Sequence, residues 1–524
     1  MSVKTNEDLE ADYVIVGGGT SSLVLAARLP EDDRSEADWQ LITTPQVNRA
    51  GQPCNQGAPG KLLGGSSGIN GQASIAPSKA RIDAWSKLGA TDWTWKKLSP
   101  CYKKSYTLHW VDQNVNGDSG LINVSFPAVL QDPLSKAWVD TFEGIGYSLT
   151  ADPFSGNSIG GYSELAAVDY ETKTRSYAVT GYGLPDMQRP EVRILTKAMV
   201  RKILFDASDA GVTAKGVEAI VQGGLSTIKA KNEAIIDQFN VPVVVENPYV
   251  GENLQDHLMS GISFDVKKGV ITGNPLMRQE QEAVQNTMQI YTEHKAGPMT
   301  IGGIQSSAFM PIIEYHGPNQ QEAKQAYLNK FIPQPEGRDQ VIRDIYADDN
   351  EPTCSMFMFL AQANLHQTGK SFVGQELLPG NFLSLGLELS LPFSRGSAHI
   401  ASADPNVPPT IDSQYFSNPL DLGIMARNLL DVERIHKADP LAKFLVHSGQ
   451  RNHLDAFLTD LELAKKYLRD TATAAYHSCG TVAMLPREKG GVVDEKLRVY
   501  GTTNLREWDA SVFPWAADTI KSDA

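Results

Sequence analysis

The sequence predicts an α/β fold of more than one domain. Three observations carry that reading. The chain has 524 residues, enough for two to four domains at roughly 150 residues each. Near the N-terminus a short β-branched run enters a glycine-rich turn and then an apolar helical stretch. In the C-terminal half, an alternating apolar segment is followed by a long stretch with helical spacing.

The first element is Tyr13-Val14-Ile15-Val16, a strand by its β-branched content. Gly17-Gly18-Gly19-Thr20-Ser21-Ser22 follows as the turn, and 23–29 (LVLAARL) as the helix. Strand, glycine turn and helix in this order form a dinucleotide-binding motif. Gly17 permits the tight turn. Gly19 lets the backbone approach a pyrophosphate, which the free N–H groups and dipole of the helix start then hold. The third glycine of the pattern is replaced by Ser22. A glycine turn in some other α/β protein is the bland alternative. The acid expected about 20 residues later falls near Glu36 and Asp38, inside a wholly polar stretch, 30–38. Those acids read as solvated charges in a loop.

Further along, the alternating Phe382–Leu389 segment reads as a strand. Residues 394–400 read as a turn and the next strand, and 420–437 as a helix. The polar, helix-prone stretch 319–350 reads as a surface excursion. Met356 to Leu365 reads as core. Hydrophobic residues make up 41% and charged residues 21%, the balance of a globular chain. Acidic residues outnumber basic ones, 61 to 47, for a net charge of −14. With no basic block either, a nucleic-acid role is not expected. No apolar run approaches the ~20 residues of a membrane span. Cys54, Cys101, Cys354 and Cys479 make neither a disulfide framework nor a zinc spacing. No metal site is expected. The first ten residues lack the basic-then-apolar layout of a signal peptide, which predicts a reduced, intracellular and cytoplasmic protein.

Other segments carry a family likeness. They are 60–71 (GKLLGGSSGING), 83–89 (DAWSKLG) with Trp93 and Trp95, 250–257 (VGENLQDH), 477–484 (HSCGTVAM), 491–494 (GVVD) and 504–512 (NLREWDASV). Together with the N-terminal turn they resemble the glucose-methanol-choline (GMC) oxidoreductases, in family order from residue 12 to 521, with a flavour similar to fungal members. The resemblance implies a Rossmann-like FAD-binding domain interleaved with an α+β substrate domain built on an antiparallel sheet. It places the FAD-binding domain at 12–150, 190–265 and 475–524, and the substrate domain at 151–189 and 266–474.

The same resemblance implies the chemistry. A base removes a hydroxyl proton from a small organic alcohol while hydride passes to the flavin. His477 matches the base position, and histidine suits it because its proton affinity lies near working pH. A hydrogen-bonded core histidine is the alternative. Gly17, Gly19, Thr20, Ser21, Gly65, Ser66, Asn70, Val200, Asp509 and Ala510 match positions near FAD. Asp509 could equally cap a helix start at Ser511. His257 belongs to a motif and reads as structural; the remaining histidines follow no ligand spacing. Ser66-Ser67 lacks the G-x-S-x-G order of a hydrolase elbow. Lys61 reads as a solvated or loop-bracing charge. The implied partners are the alcohol and an electron acceptor, oxygen or another, in a setting such as fungal secondary metabolism.

Three departures from the family pattern bear on the flavin. The strand ending in the ribose carboxylate is missing, because the chain passes from Leu29 almost directly to Asp38-Trp39-Gln40. The second family signature is absent, because 231–236 runs straight into 237–242. After Pro514 the second catalytic His or Asn has no counterpart, and Trp515-Ala516-Ala517-Asp518 follows instead. Losing a central strand would expose backbone groups and apolar faces. The gaps therefore predict either local repacking or a chain trimmed within its coding sequence. They also leave open a flavin-free descendant that binds a metabolite or uses His477 for acid–base isomerisation or cyclisation.

Overall fold

The computed structural model describes residues 9–17, 19–20, 39, 41–54, 60–75, 77–109, 120–126, 133–147, 155–156, 159–208, 211–236, 245–301, 303–315, 320–363, 378–402, 404 and 407–516. Ser21, Glu36, Asp38 and the expected helix at 23–29 lie outside them.

The N-terminal strand spans Leu9–Ile15 and runs parallel to Gly224–Ile236, with Leu9 opposite Ile228 and Ile15 opposite Ile235. Gly224–Ile236 has two sets of partners. Its first half closes an antiparallel meander with Ala198–Ser208 and Gly211–Val221. Its second half lies between Leu9–Ile15 and Leu505–Glu507, both parallel to it. Three adjacent parallel strands thus form this side of the sheet. Val14, Val16, Ala214, Val217, Ala230 and Leu505 form the core of this layer.

A second sheet is antiparallel, in the order Ser306–Met310, Cys354–Phe359, Phe382–Leu389, Leu258–Asp265, Thr473–Ala474. The Phe382–Leu389 strand forms as its alternation predicts, but both of its faces are covered and every residue is buried. Leu383, Leu385, Leu387 and Leu389 point into the main core. Successive side chains alternate, so Ser384, Gly386 and Glu388 occupy the opposite face. The Pro419–Ile435 helix packs against this strand. Its start is set by Asn418, whose side chain accepts from the Leu420 N–H, with Pro419 at the first helical position. The expected strand in 394–400 forms as Gly396–His399.

The stretch 319–350 is not a surface excursion. It forms the helices Gln321–Phe331 and Gly337–Ala347, and Leu328, Val341, Ile342, Ile345 and Tyr346 enter the main core. Those apolar residues recur at helical spacing, so one stripe is buried beneath a polar outer face. Lys324 is fully buried and is satisfied by Asp349, its Nζ donating to Oδ1 at 2.5 Å. The Lys61 ammonium sits 4.9 Å from the centre of the Trp39 ring, a loop-bracing contact. No described helix is long and apolar enough to cross a membrane.

Candidate active site

His477 follows the short edge strand Thr473–Ala474. Tyr476, just before it, holds φ at 69°, a sharp local bend that re-aims the chain. The segment 475–479 runs antiparallel to 255–257. Ala475 N–H donates to His257 O at 2.8 Å, and Gln255 and Cys479 exchange two 2.9 Å bonds. Both histidines are thereby delivered to the polar face of the Phe382–Leu389 strand. Glu388 stands opposite Met259 there, two residues after His257.

Glu388 Oε1 lies 2.6 Å from His257 Nδ1 and 3.1 Å from His477 Nδ1, and the two Nδ1 atoms are 3.2 Å apart. The rings meet edge-on, with centroids 5.2 Å apart. All three residues are buried, His477 being 9% exposed and His257 1%. His257 Nε2 has no partner among the described residues. Beneath the cluster, Asp256 Oδ1 accepts the His477 backbone N–H at 2.8 Å and Oδ2 accepts the Tyr415 hydroxyl at 2.6 Å. Burial pushes the Asp256 carboxyl up to about 6, opposed by these two hydrogen bonds. Burial also pushes the Cys479 thiol far up, so it is no nucleophile.

The glycine-rich segments converge on one another. Thr20 Oγ1 donates to Gly64 O at 3.1 Å. A Cβ on Gly65, whose φ is +50°, would lie 2.7 Å from Gly19 Cα, so these loops approach this closely only because residue 65 is glycine. Gly17 holds φ at 120°. Ser66 Oγ accepts the Gly60 N–H at 3.3 Å, and Asn70 Oδ1 accepts from Arg175 Nη1 at 2.6 Å. Val200 packs, half-buried, against the layer of Val14 and Val16.

Asp509 caps the one-turn helix Ala510–Val512, its Oδ1 accepting the Ser511 N–H at 2.7 Å, so the capping role foreseen for it is observed. This turn lies along the His477 segment, with Gly480 N–H donating to Ala510 O and Val482 N–H to Ser511 O. The loop ending at Gly71 reaches the same region. Gly71 O accepts the Gly303 N–H, and Ile304 packs with Met259, Phe357, Ala475 and Tyr476 just before His477. The structure thus joins Gly19, Thr20 and Gly65 in one loop pair, and His477, Asp509 and Ala510 in another cluster.

These residues fit FAD. A Cβ on Gly19 or Gly71 would meet nothing within 4 Å, so there is open space where phosphate and flavin would approach. The resemblance implies a second catalytic His or Asn after Pro514, and among the described residues that place is taken by Trp515 and Ala516. Trp515 there is fully buried, and Ala516 N–H donates to Gln255 Oε1. The imidazole beside His477 is that of His257. Sequence reasoning did not single out Glu388. A lone carboxylate at a polar-face position of an otherwise apolar strand was the available signal.

The glycine loops, the layered sheets and the buried histidine define an FAD-dependent oxidoreductase. Comparison with known proteins agrees. The GMC oxidoreductase N-terminal model matches residues 11–259 and the C-terminal model residues 392–519. The chain is 30% identical to "GMC oxidoreductase family protein Mala s 12" of Malassezia sympodialis, over 96% of this chain and 89% of that protein. It is 29% identical to "Dehydrogenase citC" of Monascus ruber, over 96% and 92%. That alignment runs over 584 residues although this chain has 524, so the relative carries segments absent here. The fold matches a formate oxidase of Aspergillus oryzae RIB40 at TM-score 0.82, with 22% identity over 98% of this chain and 96% of the other. An FAD-dependent oxidoreductase from Chaetomium thermophilum matches at 0.80, with 22% identity over 97% and 95%. This chain belongs to the GMC oxidoreductase family.

Proposed function

We propose that this protein oxidises the CH–OH group of a small organic alcohol, in a step of fungal secondary metabolism, with His477 as the base. The observation that carries the reading is His477 itself, anchored at Nδ1 by a buried carboxylate and lying beside the Asp509–Ala510 turn. Gly17, Gly19, Thr20, Ser21, Gly65, Ser66, Asn70, Val200, Asp509 and Ala510 would hold FAD. The bound FAD supplies the hydride acceptor. The flavin-binding part comprises 12–150, 190–265 and 475–524, and the substrate part 151–189 and 266–474.

His477 accepts the hydroxyl proton at Nε2, because Glu388 and His257 both engage Nδ1. The Glu388 carboxylate stabilises the imidazolium that forms. Asp256 fixes the backbone from which the ring projects. The buried faces of Met259, Phe357 and Ala475 exclude water next to the base. Oxygen or another electron acceptor would be the second partner of the reaction.

The test is an absorption spectrum of the purified protein with FAD, followed by an anaerobic alcohol screen. Flavin bands should survive desalting and bleach with substrate. His477→Ala should keep the bands and bleach about 10²–10⁴-fold more slowly, the range for loss of a general base. A cooperatively folded protein that stays colourless with excess FAD would overturn the reading, and so would undiminished bleaching in the variant.

A further inference from the structure

We propose that His257, Glu388 and His477 form a binding site for a divalent transition metal, with Zn²⁺ as the probe ion, and that metal occupancy switches the base off.

The argument begins with protons. Each Nδ1–Oε1 contact requires a proton on its nitrogen if Glu388 is ionised. The Nδ1–Nδ1 contact at 3.2 Å requires a proton on one nitrogen only. With Glu388 ionised, no placement of protons satisfies all three contacts at once. A single cation does, because it takes a lone pair from every corner. The three atoms are 2.6, 3.1 and 3.2 Å apart, so one point lies about 2.0–2.1 Å from all of them, roughly 1 Å above their plane, as zinc–nitrogen and zinc–oxygen bonds require. Viewed from that point the three atoms subtend angles of about 80–100°, the arrangement of a two-histidine, one-carboxylate face with the other positions open.

The chemistry of the donors narrows the ion to a transition metal. Two imidazoles and one carboxylate favour Zn²⁺, Co²⁺ or Ni²⁺ over Mg²⁺ or Ca²⁺, which take all-oxygen sites. The ligands are held before any metal arrives. Glu388 is fixed in the strand, His257 is tied to Ala475 through its carbonyl, and His477 is tied to Asp256 through its N–H. Among the described residues this is the one cluster of three such donors.

Occupancy has a defined effect on the base. A neutral imidazole that binds metal through Nδ1 keeps its proton on Nε2 and can accept no second proton there. Zinc should therefore inhibit alcohol oxidation whichever face of His477 the substrate meets. This inhibition rests on the base assignment above; metal binding does not.

The test is isothermal titration of Zn²⁺ into EDTA-treated, FAD-loaded protein, repeated with Mg²⁺. One zinc per chain is expected, with no comparable magnesium binding. In His257→Gln and Glu388→Gln, zinc affinity should fall by more than the roughly 10–100-fold that outer-shell partners control. His294→Gln, on an exposed helix end, should match wild type. X-ray absorption at the zinc edge of the wild-type protein, loaded with one equivalent, gives a reading that needs no variant. Two imidazoles in the first shell support the site; sulfur ligation or a shell without imidazole overturns it. Equal zinc binding in wild type, His257→Gln and Glu388→Gln also overturns it. Stoichiometric zinc bound by two imidazoles without inhibition would uphold the site and remove His477 from the role of base.

Discussion

Gly386 lies on the polar face of the Phe382–Leu389 strand, directly opposite Phe357 on its neighbour. A Cβ added there would fall 2.2, 2.3 and 2.9 Å from Cζ, Cε2 and Cε1 of the Phe357 ring. Carbon atoms rest about 3.5–4.0 Å apart, so the ring would have to retreat by more than 1 Å. It has nowhere to go, because Met259, Ala475 and Tyr476 pack with it, and they lead directly to His257 and His477. Gly386→Ala should therefore cost about 1–3 kcal/mol, the usual range for overpacking a filled core. Phe357→Leu removes the three ring atoms that clash. In that background the added methyl should cost less than about 1 kcal/mol, a coupling of the size seen between touching residues. Urea denaturation of the four proteins of the cycle, followed by tryptophan fluorescence, measures it. An alanine penalty of equal size in both backgrounds would refute the account, since the cost could then not come from the ring.

Other expectations concern charge and the flavin loops. His436 is buried against Phe264, and desolvation first of all holds its proton affinity below the usual 6.5. Its folded value is depressed, so its contribution to stability is full above pH 6.5 and is lost as pH falls towards the folded value. His436→Gln should flatten that part of the stability–pH curve, and an unchanged slope would exclude the residue as its source. Asp349→Ala strands the fully buried Lys324 and should cost about 3–5 kcal/mol, whereas Lys324→Met with Asp349→Ala should recover most of it. An equally unstable double variant would show that the loss lies elsewhere. Thr20→Val deletes the hydroxyl bond to Gly64, worth about 0.5–1.5 kcal/mol, and should weaken FAD binding by up to about tenfold in a fluorescence titration. Unaltered affinity would mean that the loop pair is held without it.

The sequence carried the elements whose signals are local. Phe382–Leu389 alternates, the Pro419–Ile435 helix has its spacing, and Gly17 to Thr20 follow a β-branched strand. What it did not carry depends on neighbours. The helices in 319–350 look polar in one dimension, and only their stripe at Val341, Ile342, Ile345 and Tyr346 shows that they bury a face. Glu388 is one carboxylate among many until the register sets it opposite Met259. His257 and His477 are 220 residues apart in sequence and meet only because two antiparallel segments bring their Nδ1 atoms within 3.2 Å. Local patterns specify elements, but convergence at a site is a property of sheet order.

The Gly224–Ile236 strand belongs to both ladders of its sheet, antiparallel in its first half and parallel in its second. An indel inside it would have no silent position. One residue gained or lost near Lys229 would turn over the side chains of either the meander or the parallel strands, whichever lay beyond it. Such a strand should tolerate substitution but not change of length. Its two ladders should also open together, so that their amides exchange with solvent as one cooperative unit.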